Sequence, residues 1–255
     1  MKDLTKGKPS ALILAFALPI FFANLLQLTY SLVDTRIVGT FLGEDALAAV
    51  GATSTLSNLI IGFLQGLSGG FAIITAQKFG AKDYKDVKKS FAMSLLIGTG
   101  IALFFTIFGL LFLQPILKML NVPVNLLETA KSYIFIIIAG LVVTYLYDAC
   151  AAALRSLGDS VTPLVILAIS VILNIIGDLF FVVILKSGVK GAAIATVLAQ
   201  SIAFIALMPH DGGMLMITAL ADVSPLNVLK YSFYMFGLII ATCVTIQFGL
   251  MDKKN

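Results

Sequence analysis

PLVILAISVILNIIGDLFFVVIL, Pro163 to Leu185, carries one charged side chain, Asp178, with Asn174 one helical turn before it. At about 1.5 Å of rise per residue, a run of this length crosses a hydrocarbon core of about 30 Å. The stretch therefore reads as a transmembrane helix, and the carboxyl group within it demands a reason: an ionisable side chain inside a span costs about 2.5–3.5 kcal/mol on insertion scales.

Working outward, similar apolar runs recur at Ala11 to Val38, Ala46 to Ala76, Phe91 to Leu117, Ala130 to Ala153, Gly191 to Met208 and Val228 to Leu250. Of the 255 residues, 60% are hydrophobic and 12% charged, and mean hydropathy is +1.06, so lipid rather than water is the solvent for most of the chain. The sequence predicts an all-α membrane protein of about seven helices, six of them before residue 207 and about one extra C-terminal transmembrane helix. A re-entrant piece over Gly213 to Ala221 would change that count by one. The first run lacks a small-residue cleavage site and reads as a retained helix rather than a leader.

Cys150 and Cys243 both fall inside apolar runs, where a thiol behaves as a small hydrophobe. With one histidine and no Cys/His spacing, no zinc site is predicted. The net charge of +4 traces to loop lysines. No aromatic-interleaved basic patch accompanies them, which excludes nucleic acid as a partner.

The distribution of Lys and Arg sets the predicted orientation. A cytoplasmic N-terminus puts Lys2, Lys6 and Lys8 inside, together with Lys78, Lys82, Lys85, Lys88 and Lys89 between the second and third spans and Arg155 and Asp159 in the fourth loop. The expected location is the cell (inner or plasma) membrane, multi-pass. Near Leu207 the composition changes: Met208 to Pro225 holds His210, Asp211, Gly212, Gly213 and Asp222 with two prolines. The predicted division is a lobe over 1–206, an irregular seam over 207–227, and an extra helix with a basic tail over 228–255.

Gly62, Gly66 and Gly70 recur every fourth residue on the second span, a pattern that lets helices approach closely in lipid. Pro19 interrupts the hydrogen-bond ladder of the first span, and a bend is expected there. Three acidic residues fall within spans: Asp34, Asp148 and Asp178. Asn174 and Asp178 share a helix face, and an antiparallel sixth span returns Thr196 to within about one turn of their depth. A carboxylate, an amide carbonyl and a hydroxyl suit a hard cation such as Na⁺, and the carboxylate alone can carry a proton. The same three groups can equally be interhelical glue. Gln27 lines the same cavity as Asp34 or bonds backbone, and Asp148 is placed to pair with Arg155 as a structural bridge.

Several separated motifs, in order, resemble the multidrug and toxic compound extrusion (MATE) family. They are Leu18-Pro19-Ile20 through Asn24-Leu25-Leu26-Gln27, Leu32-Val33-Asp34-Thr35, Ala46 to Gly51, Leu154-Arg155-Ser156-Leu157-Gly158-Asp159 with Thr162-Pro163, Asn174 to Asp178, and Gly191 to Thr196. The likeness covers about residues 5–206. It implies a cation-coupled antiporter, using Na⁺ or H⁺ and no other cofactor, that exports drugs or other organic, often cationic, compounds. It further implies that Asp34, Asn174, Asp178 and Thr196 form the cation site, with Pro19 and Gln27 serving as hinge and cavity wall. Ion binding would bend the first helix at its proline. A second lobe or a homodimer would be needed for transport, so a truncated or chimeric half is not expected to be transport-competent alone. The tail from Met208 weakly resembles the end of the gluconate permease family, which would make His210 and Asp211 substrate-side residues in that parent.

Other classes make distinct predictions. Tyr147-Asp148 and Gly177-Asp178 are similar to the paired aspartates of intramembrane proteases, but the two aspartates should lie on opposite sides of the membrane midplane; the chain is expected not to be an enzyme. A lipid-linked sugar flippase of related fold would have a more basic cavity. A dimerising half-transporter or assembly subunit would use the glycine face of the second span.

Overall fold

A computed structural model describes residues 9–207. The seam, the helix expected over 228–250, His210, Asp211, Cys243 and the terminal lysines lie outside the described residues, as does the tail with its likeness to a permease.

Apolar composition and the need to satisfy every backbone N–H and C=O within lipid leave helices as the form of this chain. The elements are α1 (Pro9–Leu42), α2 (Glu44–Gly80), α3 (Tyr84–Leu111), the short α4 (Leu113–Met119), α5 (Leu127–Ala139), α6 (Leu141–Ser156), α7 (Val161–Asp178) running directly into a π-helical turn (Leu179–Ile184), and α8 (Val189–Leu207). Among the described residues five helices are long and apolar enough to span a bilayer, and α5 with α6, bent by 45° at their junction, brings the number to six where the pair is counted as one broken span. Five to six spans agree with an all-α lobe, and the chain is a multi-pass membrane protein.

Two predicted spans differ in detail. The run Phe91 to Leu117 is not one helix: α3 ends at Leu111, and α4 restarts after Phe112. Ala130 to Ala153 is likewise divided at Gly140. A Cβ placed on Gly140 would lie 2.6 Å from Val197 Cγ2, so α8 packs directly onto the bare backbone at the break. By contrast, α1 is continuous through Pro19.

The core lies among α2, α3, α4, α5, α6 and α8, where Leu64, Leu117, Ile134, Ile138, Leu141 and Tyr145 are fully or almost fully buried. A second cluster joins Ile37 and Val38 of α1, Val50 of α2, Val182 of the π-helical turn and Ala192 of α8, and so fixes the end of α1 that carries Asp34 against the end of α7. The opposite faces of α1 and α7 present Ile13, Leu14, Leu28, Leu32, Ile169 and Ile172 outward. In lipid such exposure carries no hydrophobic penalty.

The glycine stripe of α2 does not make the predicted contact. Nothing lies within 4 Å of a Cβ built on Gly62, Gly66 or Gly70. Backbone approach occurs instead at Gly98, Gly109, Gly140, Gly177 and Gly191. At Gly98 the hydroxyl of Tyr145 occupies the place of a side chain and donates to the Ser94 carbonyl at 2.6 Å.

At the membrane surface, Lys78 and Asp86 pair at 2.8 Å across the α2–α3 turn, and the Asp83 side chain caps α3 by accepting from the Asp86 N–H. An exposed pair of this kind contributes little, because water and salt screen it. The Tyr145 contact matters more. Gly98→Ala drives a methyl into the phenol and is expected to lower stability by about 1–3 kcal/mol, read as a fall in the thermal midpoint of the purified protein in detergent. Gly66→Leu, into open space, should leave that midpoint and the oligomer size unchanged.

Candidate functional site

Asp34 lies one helical turn after Tyr30 on α1, and the pair therefore shares a face. Asp178 closes α7, fully buried, with Asn174 (2% exposed) one turn before it. Thr196 faces them from α8. The Asn174 carboxamide is satisfied at both ends in one orientation: its nitrogen donates to Asp178 Oδ2 at 2.9 Å, and its oxygen accepts from the Thr196 backbone N–H at 3.1 Å. Asn174 therefore ties α7 to α8 and aims Asp178. The Thr196 hydroxyl donates to the Ala192 carbonyl at 3.1 Å and meets the Tyr30 hydroxyl at 3.0 Å.

The carboxyl groups of Asp34 and Asp178 come within hydrogen-bonding reach of one another. Oδ1 of each is buried without a hydrogen-bond partner. Two carboxylates side by side repel, and a proton shared between them or a small cation held among them removes the repulsion. The uncommitted oxygens of Asp34 and Asp178, with the hydroxyls of Tyr30 and Thr196, are hard ligands of the type Na⁺ takes. Among the described residues no group of three or more His, Cys, Asp or Glu gathers as a transition-metal site would require.

Asp34, Asn174 and Thr196 line a cavity of about 600 Å³ enclosed by α1, α2, α5, α6, α7 and α8. Gln27 stands on its wall. A second cavity of about 430 Å³ continues from it along α1, α2 and α6, where Ile20 lines the wall next to Pro19. All four residues predicted for the cation site are thus brought together. Tyr30, Tyr133, Gln65 and Gln200 are additional polar wall residues that sequence reasoning missed. The signal for two of them was present: Tyr30 precedes Asp34 by four residues and Gln200 follows Thr196 by four, so each shares a face with a residue already singled out.

Asp148 departs from expectation. Among the described residues the ion pairs are Lys78–Asp86 and Lys131–Glu128, and Asp148 has none with Arg155. Both side chains line the second cavity, and the predicted structural bridge is not formed. Nor do Asp148 and Asp178 make a catalytic dyad: the neighbour of Asp178 is Asp34.

Apolar spans around a polar cavity, with carboxyl groups buried among them, define one lobe of a membrane transporter. The chain belongs to the MatE family, whose model matches residues 19–180. It is 30% identical over 203 residues to "Probable multidrug resistance protein YpnP" of Bacillus subtilis, covering 80% of this chain and 46% of that one. It is 33% identical over 213 residues to "Probable multidrug resistance protein YoeA" of the same organism, with the same coverage. Among solved structures, a MATE protein in complex with MaL6 superposes with a TM-score of 0.75 at 26% identity, over 80% of this chain and 45% of that one. A transporter of the MOP superfamily from Pyrococcus furiosus, titled for the reverse polarity of its binding pocket, gives 0.75 at 25% identity, over 91% and 56%. The chain spans about half the length of the curated relatives it matches. Members of this family are transporters and not enzymes.

The bridging role of Asn174 has a measurable cost. Asn174→Ala strips a partner from the buried Asp178 Oδ2 and is expected to lower stability by about 1–3 kcal/mol in a thermal or denaturant unfolding assay. An unchanged midpoint would show that the amide does not hold α7 to α8.

Proposed function

We propose that this chain forms one lobe of a cation-coupled antiporter that exports organic compounds, and that Asp34, Asp178 and the hydroxyls of Tyr30 and Thr196 hold the coupling ion, Na⁺ or H⁺. The observation that carries this reading is the pair of carboxyl groups within reach of one another, each with a buried oxygen that no protein group satisfies. An ion that comes and goes there changes the charge at the junction of α1, α7 and α8, which biases α1 between two arrangements about Pro19. The multidrug titles of the relatives support organic substrates, and a cavity of about 600 Å³ is of a size to admit a drug-sized molecule.

Alternating access requires one bundle to move against another, so a second lobe, or a second copy of this chain, completes the transporter in this proposal. Asn174 acts in it as a positioning residue. The N-terminus is cytoplasmic, with the lysines of the α2–α3 turn on the same side.

Binding to the native state raises stability in proportion to occupancy. The purified protein should therefore show a Na⁺- or acid-dependent rise in thermal midpoint that Asp178→Asn and Asp34→Asn each reduce. If both variants respond to the ion as the parent does, the coupling site lies elsewhere.

A further inference from the structure

In the proposed orientation the larger cavity is the outer one and the second cavity the inner one; they meet at a wall they share, formed by Asn24 and Gln27 of α1, Gln65 of α2, Tyr147 and Asp148 of α6, and Leu167 of α7. Asp148 is 8% exposed, and its Oδ2 is buried without a hydrogen-bond partner. A carboxylate in this condition is costly unless something of opposite charge answers it. Arg155, seven residues on and two turns along α6, acts on it through space but does not pair with it. The amides of Asn24, Gln27 and Gln65 reach the same junction from α1 and α2.

One carboxylate and three amide carbonyls, drawn from three helices, are a hard oxygen set. Tyr147 is the one aromatic ring on the shared wall, which is little for gripping a bulky organic cation by its faces. We propose that Asp148 anchors a second site for a small monovalent cation, with the amide oxygens of Gln65, Gln27 and Asn24 supplying further ligands. The site is independent of Asp34 and Asp178, since it uses a different carboxylate on a different helix.

A polar ladder connects the two. Thr144 precedes Asp148 by one turn and donates to Gln200 Oε1 at 2.6 Å, and Gln200 follows Thr196 by one turn. Ser170, one turn before Asn174, lines the outer cavity between them. A cation entering by the inner cavity meets Asp148 first and passes to the Asp34–Asp178 pair along oxygen-bearing side chains. Arg155 on the inner wall is a tethered positive charge that opposes its arrival.

The test is direct binding of radioactive sodium to the full chain in detergent, with Asp34→Asn and Asp178→Asn both present so that the first pair is silent, and with N-methylglucamine chloride holding ionic strength constant. Saturable binding is expected to persist in this background, to weaken by about tenfold or more on adding Asp148→Asn, and to tighten on adding Arg155→Gln instead. Gln65→Leu, at a cavity-facing position, provides a second reading if Asp148→Asn folds poorly, and should also weaken binding. Absence of saturable sodium binding in the double variant overturns the proposal, as does binding indifferent to both Asp148 and Gln65. Binding of tetraphenylphosphonium but not sodium at Asp148 would replace the small-ion site with an organic one and equally overturn it. Because the first pair is removed throughout, these outcomes do not depend on whether that pair holds the coupling ion.

Discussion

A carboxyl group in a lipid-spanning bundle has no bulk water to solvate it, and the lobe is arranged around that constraint. Three such groups are buried here, each with an oxygen that the protein does not satisfy. Nothing about packing requires them: leucine or alanine at the same positions would be cheaper in hydrocarbon. Their retention makes sense if the missing partner is supplied from outside and intermittently, which is what a transported ion does. The surrounding hydrogen bonds point the same way. Asn174 uses both ends of its amide to fix Asp178, and Thr196 uses its hydroxyl to meet Tyr30, so the carboxyls are aimed rather than neutralised.

The rest of the bundle holds these groups at a fixed separation. Backbone contact at Gly177 and Gly191 brings α8 against α7 and the π-helical turn, with a Cβ on Gly177 reaching 3.0 Å from Ala195 Cβ, one residue from Thr196. The Val182, Ile37 and Val38 cluster does the same for α1. A π-helical turn beginning just after Asp178 fits the common placement of such turns beside functional residues. Between the two ends, the cavity is left open because α1 touches its neighbours along a narrow seam and shows its apolar side chains outward.

Much of this was legible in the sequence. Spans were read from run length and charge scarcity, and the likeness to a transporter family rested on ordered motifs that place Asp34, Asn174, Asp178 and Thr196 together. What could not be read depends on neighbours distant in sequence. The Gly62, Gly66 and Gly70 stripe has the spacing of a packing face, yet spacing cannot say whether another helix arrives; among the described residues none does. The separation of Asp148 from Arg155 is hidden for the same reason, since two residues on one helix face can pair or look past each other depending on what lies opposite. The direction of the Asn174 amide follows from the Thr196 backbone, which no pattern within the fifth span reveals.

The division at Gly140 has a mechanical meaning. Two rods, α5 and α6, meet at 45° over a residue with no side chain, and Val197 of α8 fills the notch. Val197 adjoins Thr196 in sequence, so the wedge that sets the elbow and the hydroxyl beside the carboxyl pair belong to the same turn of helix. Tyr133 on one rod and Asp148 on the other both line the larger cavity, so the angle at Gly140 sets how far apart these two parts of its wall stand.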